Sequence, residues 1–263
     1  MKVILFWVVS LVSSVVYAES ILFLGDSHTA QTFGKHLDSL LRDREHAKVK
    51  MIGSCGVGPR AFLTGRTTHC GLRIHAVNGR KSLKNEGETP LLETELQQLN
   101  PDILIVALGA NMVPGIMNRT RSAKRSIEAF LKVGLKKPHT RCFWIGPPDG
   151  RNKPKDKMKH LHEKVLVPVL KDQCAFFDSR FILDYEKLSE EAGRKGDGGH
   201  LDFLGPVGKA AARRWAEAAF DWIESELAID PLEPSVEQPS LVETNEEEPR
   251  LILGEPLSFS PKE

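Results

Sequence analysis

Short apolar runs that end abruptly alternate along this chain with stretches whose apolar residues recur every three or four positions. Ile21–Leu24, Lys48–Ile52, Asp102–Leu108, Cys142–Ile145 and Ala175–Asp178 read as strands. The run Ile103-Leu104-Ile105-Val106-Ala107-Leu108 is apolar throughout, as a parallel strand covered on both faces must be. Between these runs lie helical patterns at Thr32–Arg44, Leu91–Leu99, Arg121–Lys136, Lys155–Lys171 and Gly208–Glu226. In the first of them Phe33, Leu37, Leu40 and Leu41 share one face. Alternation with short connections predicts an α/β fold: a three-layer α/β/α sandwich around a mostly parallel, roughly five-stranded sheet with right-handed crossovers. Residues 57–89 break the pattern with little periodicity and many Gly, Thr, Arg and Lys residues. Irregular connections of that length are uncommon unless functional or disordered, so this one is expected to wall a substrate cleft.

The two ends do not share this pattern. Met1-Lys2, an apolar stretch from Val3 to Val16 and the small-residue site Val16-Tyr17-Ala18 read as a signal peptide over residues 1–18, cleaved after Ala18. Residues 229–263 carry nine acids against Arg250 and Lys262 together with six prolines, a composition expected of a disordered acidic tail. With +1 for the whole chain and −7 for this tail, the remainder stands at +8, a mildly basic body suited to anionic surfaces. A single domain over 19–228 is left, expected to be periplasmic or secreted, monomeric and without a membrane anchor. Export gives the four cysteines a meaning, since an even set in an oxidising compartment favours disulfides over metal. Of three possible connectivities the local one, Cys55 with Cys70 and Cys142 with Cys174, is preferred.

Chemistry concentrates where strands stop. The first strand ends at Gly25-Asp26-Ser27-His28, the third at Leu108-Gly109-Ala110-Asn111, and Asp197-Gly198-Gly199-His200 follows the last. In α/β folds the carboxyl edge of the sheet is where reactive groups gather. A serine hydroxyl needs a base, and the base needs an orienting acid. Ser27 as nucleophile, His200 as base and Asp197 as the acid holding His200 Nδ1 meet that need. Acyl transfer also requires donors aimed at the developing oxyanion. The Ser27 N–H, an N–H of the Gly53-Ser54-Cys55-Gly56 turn and the Asn111 amide are the candidates. Singly, each piece has a plainer reading: a capped turn, a turn residue, a solvated loop pair. Their order and strand-end placement favour catalysis.

These motifs resemble the SGNH (GDSL-type) hydrolases. Gly25-Asp26-Ser27 is similar to the first block, Gly109-Ala110-Asn111 to the Gly-x-Asn of the third, and Asp197-Gly198-Gly199-His200 to the closing Asp-x-x-His. The resemblance spans Ile21 to about Leu227 and implies a flavodoxin-like sandwich, with Ser27 as nucleophile, His200 as base, Asp197 as its partner and Asn111 as oxyanion donor. The glycine of the second block falls at Gly53 or Gly56, and distance past the strand favours Gly56. Two positions depart from the family pattern. His28 stands where the eponymous motif has leucine, a variant found in branches acting on glycan acetyl groups. Met112 stands where many members have aspartate.

Other tempting residues have structural explanations. His160 and His162 lie two apart on a helix and point to different faces, and no zinc spacing surrounds His69 and His75. The lysines at 153, 155, 157, 159 and 164 read as a solvated face without interleaved aromatics, so no nucleic acid is expected. Trp215 and Trp222 read as core, and His28 as a packing or capping residue. The expectation is therefore an exported serine esterase that needs no cofactor or metal. Its substrate is expected to be an O-acetyl group on a carbohydrate such as peptidoglycan. The competing classes are a lipase, thioesterase or lysophospholipase, a glycan O-acetyltransferase, and a non-catalytic glycan-binding module.

Overall fold

The computed structural model of the protein describes residues 18–229, apart from 151 and 153. The expected signal peptide (save Ala18) and the expected acidic tail (save Ile229) lie outside those residues. Five parallel strands form the centre of a sheet: β1 (Ser20–Gly25), β2 (Lys48–Ser54), β7 (Ile103–Ala107), β8 (Arg141–Ile145) and β9 (Ala175–Phe177). Their spatial order is β2-β1-β7-β8-β9. The order reverses beside β1, so the chain leaves β1 and its neighbours at one carboxyl edge, the topological position that α/β sheets use for ligands.

Side chains alternate across the sheet because successive residues of a strand point to opposite faces. Leu22, Leu24, Leu104, Val106 and Trp144 pack into one core with helices α3 (Pro59–Thr64), α4 (Leu92–Leu99) and α5 (Ile116–Gly134). Ile21, Phe23, Ile103, Ile105 and Phe143 pack into the other with α2 (Thr32–Arg42), α8 (Tyr185–Glu191) and α9 (Gly205–Ile229). Trp215 is buried and stacks on Phe33 at 3.7 Å, while Trp222 meets Phe143 and Phe177, so both tryptophans of α9 serve the core. The α/β/α sandwich is the expected one.

The strand count is larger than expected. Within residues 57–89 the chain forms α3 and then β3 (Thr67–Thr68), β4 (Leu72–His75), β5 (Lys81–Lys84) and β6 (Gly87–Glu88). Strands β4 and β5 add antiparallel to β2 and make a seven-stranded sheet, while β3 pairs with β6. A polar, charged edge strand such as Lys81-Ser82-Leu83-Lys84 carries no apolar periodicity to announce it, and its lysines discourage pairing with another sheet edge. The helical pattern over 155–171 is divided into α6 (Lys155–His160), a π-helical turn (Leu161–Leu166) and α7 (Val167–Leu170). Pro168, which lacks an N–H, is the second residue of α7, just past that turn.

Both expected disulfides are present. Cys55–Cys70 has a Cα–Cα distance of 5.4 Å and Cys142–Cys174 one of 4.5 Å. The first closes a loop of 15 residues that contains the Gly56 turn and α3. In the chain-entropy model such a loop contributes about 3 kcal/mol.

Candidate active site

The site is built from the turn that follows β1. Asp26 caps the one-turn helix α1 (Ser27–Ala30), its Oδ1 accepting the His28 N–H at 3.0 Å. Its own N–H donates to the Ala107 carbonyl at the end of β7 (3.2 Å), which ties the serine turn to the neighbouring strand. Two glycines let α1 lie flat on the strand ends. A β-carbon on Gly25 would stand 1.8 Å from Thr29 Oγ1, and one on Gly53 would stand 2.4 Å from the Ala30 nitrogen. Gly53 belongs to β2 and is paired with Gly25, so its role is close packing against α1. Arg73 Nε donates to the Ala30 carbonyl at 2.8 Å and fastens the far end of the turn.

His200 reaches Ser27 across 173 positions of sequence. Its Nε2 lies 2.7 Å from Ser27 Oγ, and its Nδ1 faces Asp197 Oδ2 within hydrogen-bonding distance. The other oxygen, Asp197 Oδ1, accepts the N–H groups of Gly199 (2.9 Å) and His200 (2.8 Å). Burial alone would raise the Asp197 carboxyl, but these hydrogen bonds from the His200 side chain and the two backbone N–H groups outweigh it. The group is held below the ordinary carboxylate range and stays ionised. Ser27 is 4 % exposed, whereas 27 % of the His200 side chain is open, so the hydroxyl lies at the foot of a site entered past the imidazole.

The candidate oxyanion donors each follow a strand end, Ser27 after β1, Gly56 after β2 and Asn111 after β7. Asn111 stands four residues beyond Ala107, and its Nδ2 donates one hydrogen to the Val57 carbonyl at 2.9 Å. An amide nitrogen carries two hydrogens, so this bond orients the side chain and leaves the second N–H to give. Gly56, next to Val57, sits in the exposed turn after β2 with φ of +74°, a conformation suited to glycine. Ser27 is the first residue of its helix, where the backbone N–H has no intrahelical acceptor. Replacing Asn111 with alanine is expected to cost about 10²–10³ in kcat with little change in KM. Ester turnover by the purified variant checks this, and a loss under threefold would remove Asn111 from the site.

His28 packs beside the imidazole of His200. Its ring lies 5.3 Å from that of His200 and meets Trp215 edge-on at 5.5 Å. It thus backs the imidazole with a wall that continues through Trp215 to Phe33. On the open side Phe203, 55 % exposed, stands edge-on to His200 at 5.8 Å.

The supports of the His200 loop were not foreseen from the sequence. The buried Tyr185 hydroxyl accepts the Gly198 N–H at 3.1 Å, and Asn152 donates its side-chain amide to the Asp197 carbonyl at 3.3 Å. Asp202 accepts the Thr32 hydroxyl at 2.8 Å and the Thr32 N–H at 3.3 Å, which clamps the loop bearing His200 to the first turn of α2. These are lone polar residues in sequence, and only the fold brings their partners to them.

The remaining candidates lie elsewhere. His160 Nε2 lies 2.8 Å from the Thr120 hydroxyl, the buried His162 faces Asp178, and His75 is bonded to Asp38. Among the described residues no group of three His, Cys, Asp or Glu side chains is placed to hold a metal ion.

No family model and no curated protein matches the chain. Among solved structures it is similar to a peptidoglycan O-acetylesterase, with a TM-score of 0.53 and 13 % identity over 81 % of this chain and 92 % of that one. A carbohydrate acetylesterase family member from Sinorhizobium meliloti gives a TM-score of 0.47 and 16 % identity over 80 % of this chain and 99 % of that one. At 13 % identity the likeness to the peptidoglycan O-acetylesterase is one of fold alone.

Proposed function

We propose that the protein is a serine esterase that removes small acyl groups, above all O-acetyl groups, from carbohydrate. One observation carries this reading: the hydrogen-bonded chain from Asp197 through His200 to Ser27 at the carboxyl edge of the sheet. In the reaction His200 Nε2 takes the Ser27 proton as Oγ bonds to the ester carbonyl carbon. Negative charge then gathers on the carbonyl oxygen, toward the N–H groups of Ser27, Gly56 and Asn111. Collapse of this intermediate breaks the bond to the alcohol, which leaves with the proton from His200. Water, deprotonated by the same imidazole, releases the acid and restores Ser27. Asp197 stays ionised and keeps the Nδ1 proton in place throughout. The chain's own groups suffice for these steps.

The carbohydrate part of the reading is supported by the activity named for the solved structure of similar fold, a peptidoglycan O-acetylesterase. It gains from the Gly25-Asp26-Ser27-His28 variant of the motif. The two disulfides fit an oxidising compartment, and among the described residues no helix is long and apolar enough to cross a membrane. Export, with residues 1–18 as the signal, is part of the proposal. Hydrolysis of p-nitrophenyl esters from acetate to palmitate tests it, alongside acetate release from O-acetylated oligosaccharides. Activity falling steeply beyond butyrate is the expected result. Preference for long chains would replace it with a lipase or thioesterase, and acetyl transfer to an added glycan would replace it with a transferase.

A further inference from the structure

Beside Asn111 lies a cavity of about 540 Å³ that the acyl-transfer chemistry does not use. One wall comes from the start of α3 and the other from the first turns of α5, with Asn111 among the lining residues and neither Ser27 nor His200. Three exposed arginines line it, Arg60, Arg66 and Arg119, together with the hydroxyl-bearing Thr64, Ser122 and Ser126. No Asp or Glu is among the lining residues. Some arginines of the protein are paired, Arg42 with Asp38, Arg44 with Glu19 and Glu224, and Arg180 with Asp178. Among the described residues Arg60, Arg66 and Arg119 have no ion-pair partner, although Glu88 lies nearby, beside Gly65.

The backbone is shaped to bring one of these groups in. Arg119 leaves the helical conformation (φ −122°, ψ 16°) inside α5. Its side chain crosses Gly115, where a β-carbon would stand 3.3 Å from Arg119 Cδ and 3.5 Å from Nε. A larger residue at 115 would push the guanidinium aside. Three like charges held around one concavity without a counter-ion repel one another, and an anion is the occupant that relieves this. Arginine's planar fork also matches a carboxylate with paired N–H donors.

We infer that this cavity is a subsite for a carboxylate on the sugar bearing the scissile ester, so that the substrate class is an acidic O-acetylated glycan. The inference rests on the esterase reading for its catalytic consequence but not for binding. Asn111 lines this cavity and is also the proposed side-chain oxyanion donor, so the two sites would share it.

The test has two arms. In the first, kcat/KM is measured on O-acetylated oligogalacturonide and on O-acetylated xylo-oligosaccharide. The wild type should prefer the acidic substrate, and the preference should shrink with added salt. The triple variant Arg60→Gln/Arg66→Gln/Arg119→Gln should lose the preference by about 10³-fold, chiefly through KM, each of the three charge-assisted contacts being worth about tenfold. The exposed Arg213→Gln serves as a charge-loss control and should retain the preference. In the second arm, calorimetry follows binding of de-esterified oligogalacturonide to the same proteins, which reads the subsite even if no ester is turned over. Unchanged discrimination and unchanged binding in the triple variant would overturn the subsite while leaving esterase activity standing. Binding of a phosphorylated oligosaccharide with none of the carboxylated one would overturn the carboxylate assignment. Failure of the wild type to hydrolyse any ester, with binding still lost in the triple variant, would sink the esterase reading and leave the subsite.

Discussion

Replacing Ser27 with alanine is expected to lower kcat for acetyl ester hydrolysis by at least about 10⁴-fold, and His200→Ala should do the same. The size follows from the geometry. Ser27 Oγ lies 2.7 Å from His200 Nε2, so in the proposed reaction nucleophile and base form one device and neither works without the other. Removing both should therefore cost no more than removing either, because the second substitution acts on a device already broken. Multiplicative losses would mean that the residues act in separate steps and that the hydrogen bond between them is incidental. Neither change should unfold the protein: Ser27 precedes a turn held by Asp26 and Arg73, and the His200 loop retains its Tyr185 and Asp202 supports. Circular dichroism and melting curves check that retention.

Asp197→Asn is expected to lower kcat by about 10⁴-fold with the fold intact. The reason is tautomeric. Asp197 Oδ1 is occupied by two backbone N–H groups, so an asparagine would keep its carbonyl there and turn its NH₂ toward His200 Nδ1. Nδ1 would then have to accept, which places the imidazole proton on Nε2. A proton on Nε2 meets the serine hydroxyl with a donor where a lone pair is needed. The carboxylate also lies below the ordinary range because hydrogen bonds from His200 and the loop outweigh burial, so in the wild type it remains ionised well into acid. A depressed carboxyl contributes stability above its unfolded value that is lost as pH falls through its folded value. The loop should therefore hold His200 in register throughout the neutral range. A loss below tenfold in the asparagine variant would remove Asp197 from the orienting role.

Much of the architecture could be read from the chain because its information is local. The apolar runs at Ile21–Leu24 and Ile103–Leu108 admit few alternatives to buried strands, and the serine and asparagine motifs sit where such strands end. What escaped is carried by polar residues with distant partners. Strands β4 and β5 form a solvent-facing edge, where Leu72 and His75 are buried but the lysines of β5 are not, so no period of two emerges. The irregular composition of residues 57–89 hid a hairpin, yet the same segment supplies Arg60 and Arg66 to the cavity beside Asn111. Tyr185 and Asp202 hold the catalytic loop through single hydrogen bonds or one carboxylate, and nothing in their neighbours in sequence announces it. The oxyanion turn was partly legible. Gly53 and Gly56 both follow the apolar run that ends at Ile52, but Gly53 still belongs to β2 and packs under Ala30, which leaves Gly56 as the proposed donor.

The most direct measurement is covalent: incubate the purified protein with a fluorophosphonate and locate the adduct by peptide mass spectrometry. An activated Ser27 Oγ bonds to phosphorus and expels fluoride, so one phosphonyl group should appear on the peptide containing residue 27 and vanish in the alanine variant. An unlabelled protein, or a label that persists when that hydroxyl is gone, would contradict the assignment of Ser27 as an activated nucleophile.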